Sequence, residues 1–225
     1  RMNLETERYS DQIALASNLT QIRKNDSVNK ISAFLTVEEG GILNGKMERL
    51  YQLYQQGIRL ITLTWNYENS LGFPNSSHPE IMSRGLKPFG FEVIEEMNRL
   101  GIIIDVSHLS DGGFWDVLEH SKKPVVASHS CVRELCNHSR NLSREMIRAI
   151  GNQGGVIGVN FYGGFLHTDG VSTAQRIAQH IRTIADISGI ETAAIGSDLD
   201  GGISANPLEI HTISRIDLLY DQLQK

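Results

Sequence analysis

Ile102-Ile103-Ile104-Asp105-Val106-Ser107-His108 is a short, nearly continuous apolar run that stops at a histidine. Apolar residues without strict alternation suit a strand buried on both faces, as in a parallel sheet. Val125-Val126-Ala127-Ser128-His129 repeats the pattern, again with serine before the histidine. Working outward, similar runs occur at Ile31–Val37, Ile58–Thr64, Pro124–Ala127, Val156–Asn160 and Ala193–Gly196. Amphipathic segments lie between them: Pro88–Leu100, opened by a proline and closed by Gly101, then Asp111–His120, Ser143–Ile150 and Thr173–Ser188. A proline suits the first helical turn and a glycine the position after the last. Strands alternating with helices predict a parallel sheet with right-handed crossovers, either a barrel or a doubly wound sheet.

Two features favour the barrel. No Gly-x-Gly-x-x-Gly or Walker-type loop follows a strand, so the usual doubly wound nucleotide site is missing. Ionisable residues instead close several different strands: Glu38 and Glu39, His108, His129 and Asp198. A (β/α)8 barrel of the TIM type assembles its active site at that end. The reading yields six strand–helix units in one domain, residues 1–225. Residues 4–30 read as a helix without its strand, and 216–224 as the start of a final helix. Six strands do not close an eight-stranded barrel, and an open edge exposes unpaired backbone. A part of a longer chain is therefore expected, and the Arg at position 1 agrees with a start further upstream.

Composition narrows the function. The 225 residues, with a hydrophobic fraction of 40%, are those of an ordinary globular chain able to bury a core. A net charge of −5 argues against nucleic acid, which favours an excess of Lys and Arg. Cys131 and Cys136 form neither a disulfide framework nor a Cys-x-x-Cys metal site, and read as free thiols. That suits the cytoplasm, with export left open by the residues upstream. No run is long enough to span a bilayer, and Arg1–Glu5 lacks the apolar stretch of a signal peptide.

The chemistry gathers at the strand ends. Neighbouring strands lie roughly 5 Å apart, so imidazoles of His108 and His129 can converge on one cation; the alternative is a pair of ordinary core or surface histidines. Val37-Glu38-Glu39-Gly40-Gly41 adds a carboxylate at another strand end. Two histidines and a carboxylate, with a position left for water, make a common hydrolytic metal set. In Gly196-Ser197-Asp198-Leu199-Asp200-Gly201-Gly202, Asp198 is the candidate proton acceptor and donor. Asp200, before glycine, reads more simply as a turn residue. Arg140 can fork onto a substrate carboxylate, although alone it reads as a surface residue. His78, His120, His138, His167, His180 and His211 read as solvated or satisfied, Trp65, Tyr67 and Phe73 as loop aromatics that either line the pocket or only pack against the barrel, and Glu95, Glu96 and Arg99 as a solvated helix face.

Taken in order, Glu-Gly-Gly, Ile-Thr-Leu-Thr, Gly-Leu-Lys-Pro-Phe-Gly, Asn-Arg-Leu-Gly-Ile-Ile-Ile-Asp-Val-Ser-His, Ala-Ser-His-Ser, Ser-Arg-Asn, Gly-Val-Asn-Phe-Tyr and Gly-Ser-Asp-Leu-Asp-Gly span Ile31 to Gly201. This series resembles the membrane (renal-type) dipeptidase family, and Trp65-Asn66-Tyr67 with Gly72-Phe73-Pro74-Asn75 resembles its bacterial members. The resemblance implies a (β/α)8 barrel with two zinc ions bridged by a glutamate, acting on dipeptides; a homodimer is compatible with it. Glu39 matches the bridging glutamate because it precedes Gly-Gly, with Glu38 as the fallback. His108 and His129 match the histidines of one zinc, Arg140 the substrate-binding arginine and Asp198 the aspartate near the scissile bond.

Three departures stand out. Nothing corresponds to the His-x-Asp pair of the other zinc, Trp65 replaces a substrate-binding histidine, and the chain stops near the final helix. Cys136 matches a disulfide cysteine of animal members whose partner position holds Thr168, so that bridge is absent. Two rival readings are another barrel amidohydrolase acting on a lactone or cyclic amide, and a non-catalytic metal- or peptide-binding remnant.

Overall fold

The computed structural model describes residues 2–201 and 208–225; Gly202, quoted above with the Asp198 loop, lies outside them. The elements run α1 Met2–Arg8, β1 Ile13–Leu15, α2 Leu19–Asp26, β2 Ile31–Ala33, β3 Leu35–Glu38, α3 Met47–Gln55, β4 Ile58–Thr62, α4 Pro79–Met82, α5 Pro88–Leu100 and β5 Ile103–Asp105. They continue with α6 Asp111–His120, β6 Val126–Ala127, α7 Arg144–Asn152, β7 Val156–Val159, α8 Gly163–Leu166, α9 Ala174–Ser188, β8 Ala193–Ile195 and α10 Asp217–Leu223. Strands β3 to β8 form one six-stranded sheet in chain order, every pair parallel. This is the repeated strand–helix plan expected of the barrel, with six strands in this sheet among the described residues. None of their helices is long and apolar enough to cross a membrane.

The N-terminal part differs from the single helix expected over residues 4–30. Ile13-Ala14-Leu15 is a small apolar run of its own, and it pairs in parallel with β2 in a separate two-stranded sheet. Asn18 then opens α2 by accepting the Gln21 N–H (2.9 Å), while Gln21 Oε1 reaches back to the Ser17 N–H (2.6 Å). Such reciprocal bonds satisfy orphan donors and start a helix afresh. The run Ile31–Val37 likewise divides into β2 and β3 at Phe34, with an irregularity in register between Leu35 and Thr36.

Apolar strand residues and the inner helix faces make the core. Ile61, Ile104, Val125, Ala127, Ile157 and Val159 meet Val93, Met97, Ile147, Ile150, Ile177 and Ile184 there. Both cysteines are buried free thiols, and burial pushes the Cys131 thiol up to about 12, well away from the reactive thiolate form.

Curvature of the sheet is visible in two glycines. A Cβ on Gly158 of β7 would stand 2.1 Å from Ser128 O and 2.9 Å from the Gly196 Cα. A Cβ on Gly196 would meet the same Ser128 O at 2.1 Å. The backbones following β6 and β8 therefore close over a β7 position that has no side chain. Glycine permits that approach, and it draws the C-terminal ends of the strands together.

Candidate metal centre and its cavity

Glu38 ends β3, His108 follows β5 and His129 follows β6. In a flat sheet β3 and β6 would be three strand spacings apart, roughly 14 Å. Instead Glu38 Oε1 lies 3.2 Å from His108 Nε2 and 3.3 Å from His129 Nε2, and the two Nε2 atoms are 2.9 Å apart. One atom from each residue thus forms a compact triangle, the one group among the described residues able to hold a metal ion. Ligands about 2.1 Å from a tetrahedral cation stand about 3.4 Å apart, so these separations suit a cation at their centre. Both imidazoles are buried, whereas the Glu38 side chain is 46% exposed, which leaves one side open towards the cavity.

The other ring nitrogens are engaged. His108 Nδ1 meets Asn66 Oδ1 at 3.0 Å and His129 Nδ1 meets Ser128 Oγ at 2.7 Å. Such outer bonds orient imidazoles that bind metal through the remaining nitrogen. The imidazole of His108, then that of His129, at 3.2 and 3.3 Å, holds the Glu38 carboxyl well below the usual carboxylate range. Burial lowers the His108 imidazole, keeping it towards the neutral form a ligand needs.

Glu39, the expected carboxylate, is elsewhere. Its backbone turns through φ 105°, and its side chain accepts hydrogen bonds from Gly41 N–H (2.6 Å), Asn69 Nδ2 (2.7 Å) and Trp65 N–H (2.7 Å). It ties the loop after β3 to the loop after β4, and Glu38 takes the place at the histidines. The fallback Glu38, and not Glu39, is the neighbour beside the histidines here, because the chain turns between the two.

Arg140 and Asp198 do reach the same place. With Glu38, Trp65, Asn66, His108, His138, Tyr162 and Phe165 they line a cavity of about 450 Å3 over the triad. Asp198 sits at φ 58° with Oδ2 accepting from Asn160 Nδ2 (3.1 Å). Arg140 is buried, and burial pulls it down to about 10, still a cation at neutral pH. Its Nη2 donates to His129 O (3.2 Å), and its Nε is buried with no partner among the described residues. A buried guanidinium with an unmet donor is built to receive an anion. Asp200 stands exposed in the following turn.

Other candidates resolve differently. Trp65 lines the cavity, its ring 6.4 Å from that of His108. His138, read from sequence as satisfied, lines it too, packing on Phe165 and accepting the Arg140 N–H. Tyr67 is exposed beside Trp65, and Phe73 lies under Arg84 and Lys87. His78 and His167 pair with Glu80 and Asp169, and His120 meets Phe91 edge to face. His180 is buried between Val132 N–H and Leu166 O, and His211 is exposed. Glu95 and Arg99 are exposed, as expected, whereas Glu96, paired with Arg99, is largely covered. Asn66, Tyr162 and Phe165 were missed; each follows a strand by a few residues, which was the available signal.

The profile of the membrane dipeptidase family (peptidase family M19) matches residues 2–225. An uncharacterized protein from the pqqA 5' region of Klebsiella pneumoniae is 38% identical over 175 residues, covering 73% of this chain and 64% of its own length. An uncharacterized dipeptidase of Schizosaccharomyces pombe is 37% identical over 189 residues, 83% of this chain and 45% of its own. The chain therefore spans less than two thirds of either relative. A metallo peptidase from Rhodobacter sphaeroides, solved with a phosphinate mimic of the dipeptide L-Ala-D-Ala, superimposes with a TM-score of 0.87 at 25% identity, covering 99% of this chain and 65% of that one.

Proposed function

We propose, from the premise that this chain belongs to the membrane dipeptidase family, that it carries the metal centre of a zinc-dependent hydrolase of dipeptides. The observation that carries this reading is the meeting of Glu38, His108 and His129 beneath a cavity that also holds Arg140 and Asp198. When bound, zinc supplies an acidified water and polarises the scissile carbonyl. Arg140 takes the free carboxylate of the substrate on its unmet donors, and this orients the peptide bond over the triad. Asp198, held at Oδ2 by Asn160, accepts the proton released in the attack and returns it to the departing amine. Trp65, Tyr162 and Phe165 enclose the side chains and limit water.

One zinc per chain is the expected content, held by Glu38, His108 and His129. A second ion, which the family resemblance implies, would need ligands besides these three. The Rhodobacter relative holds a dipeptide phosphinate, and the same class of tetrahedral mimic is the inhibitor proposed for this chain.

The test is an assay of dipeptides beside lactones, with metal counted on the purified chain. Dipeptide turnover that a chelator removes and zinc restores supports the reading. Turnover of lactones alone would replace it with the amidohydrolase alternative, and a chain that takes up no zinc would remove it.

A further inference from the structure

Asp105 ends β5, fully buried, and belongs to no part of the proposed chemistry. Its carboxylate collects four hydrogen bonds. Oδ1 accepts the Ser107 N–H (3.0 Å) and the Ser128 N–H (2.9 Å); Oδ2 accepts the hydroxyls of Thr62 (2.6 Å) and Ser128 (2.6 Å). Ser107 and Ser128 are the residues immediately before His108 and His129. One buried acid therefore grips the backbone beneath both imidazoles from β5, the strand that pairs Asp105 with Thr62 and Val126.

Ser128 carries the consequence. A carboxylate only accepts, so the single Ser128 hydroxyl proton is committed to Asp105. The Ser128 oxygen also touches His129 Nδ1 at 2.7 Å and Ser107 Oγ at 3.4 Å. Towards His129 it can then only accept, and the imidazole proton must sit on Nδ1. His129 Nε2 is left as a bare lone pair facing His108 Nε2 and Glu38 Oε1. A second partner that fixes the tautomer decides which nitrogen is free to ligate.

We propose that Asp105 is a positioning residue that sets the His129 tautomer through Ser128 and so readies the metal centre, an inference that rests on the metallohydrolase reading only for its metal. In Asp105→Asn, Oδ1 can keep both backbone bonds, but the new amide donates to Ser128 Oγ. The Ser128 proton then turns to His129 Nδ1 and drives the imidazole proton onto Nε2, the ligating atom. Thr62→Val removes a donor from the same carboxylate and leaves the relay intact.

The experiment reads imidazole 15N shifts of the metal-free full chain and zinc affinity by competition with a chromophoric chelator. Wild type and Thr62→Val should show His129 protonated on Nδ1. Asp105→Asn should show it on Nε2, with zinc affinity lower by roughly 10–100-fold. Should Asp105→Asn not fold, Ser128→Ala gives the same test, with the Nδ1 preference lost and affinity reduced. A wild-type His129 protonated on Nε2, an unchanged tautomer in the variants, or an equal loss in Thr62→Val would overturn the proposal. If the wild type binds no zinc, the hydrolase reading fails, while the tautomer assignment is still judged in the metal-free protein.

Discussion

At the starts of β5, β6 and β7 a cavity of about 340 Å3 is lined by Ile102, Ile103, Ile104, Val126 and Val156, with Lys123 and Asn98 at its edge. At the C-terminal end of the sheet the larger cavity presents Glu38, His108, Arg140 and Asp198. Strand β5, which His108 follows, contributes to both, so nothing in strand propensity separates them. The difference lies in what each end can hold. Apolar side chains at the starts gain by leaving water, whereas the ends gather charges that are expensive to bury and stay because they answer one another. The first end keeps the fold; the second keeps the chemistry.

Substitutions can break that division. Glu38→Gln at the polar end should reduce dipeptide turnover on the order of a thousandfold and strip the zinc, with little change in the melting temperature of the metal-free chain. Loss of folding instead would show that the triad is structural. Ile104→Ala, at the apolar end and 2% exposed, should cost about 2–5 kcal/mol in urea unfolding. Zinc affinity per folded molecule should not move, and a parallel fall in affinity would erase the distinction between the ends.

Glu39 sharpens the comparison, since it is polar yet belongs with the structural group. Glu39→Gln should cost about 1–3 kcal/mol through lost loop bonds and still bind zinc; loss of zinc there, with Glu38→Gln unaffected, would restore the original choice of ligand. The smallest effect concerns His180, whose imidazole burial holds below its ordinary value. Below about pH 6.5 the unfolded chain takes a proton that the folded His180 refuses, so stability falls as pH drops through that range. Its share is at most about 1.4 kcal/mol per pH unit. Metal-free His180→Gln should show a shallower acid slope in urea midpoints, and an unchanged slope would remove His180 from the account.

Much of this was legible from residue order. Pro88 and Gly101 bracket α5, and Ser110, Ser143 and Thr173 each cap a helix by accepting a backbone N–H from three residues on. These signals act within one helical turn, where sequence distance and spatial distance are nearly the same. The serine–histidine pairs, Arg140 and Asp198 were legible too, because a parallel sheet places all its strand ends on one side.

Tertiary structure alone brought Glu38 and not Glu39 against the histidines, joined Asn66 to His108 and placed Asp105 beneath both of them. Successive residues at a strand end point opposite ways, so a shift of one residue exchanges a ligand for a loop tie. Thr62 and Asp105 are 43 positions apart and meet at 2.6 Å. Local sequence carries no record of such a meeting; it is set by strand register and by the two glycines that let the sheet bend.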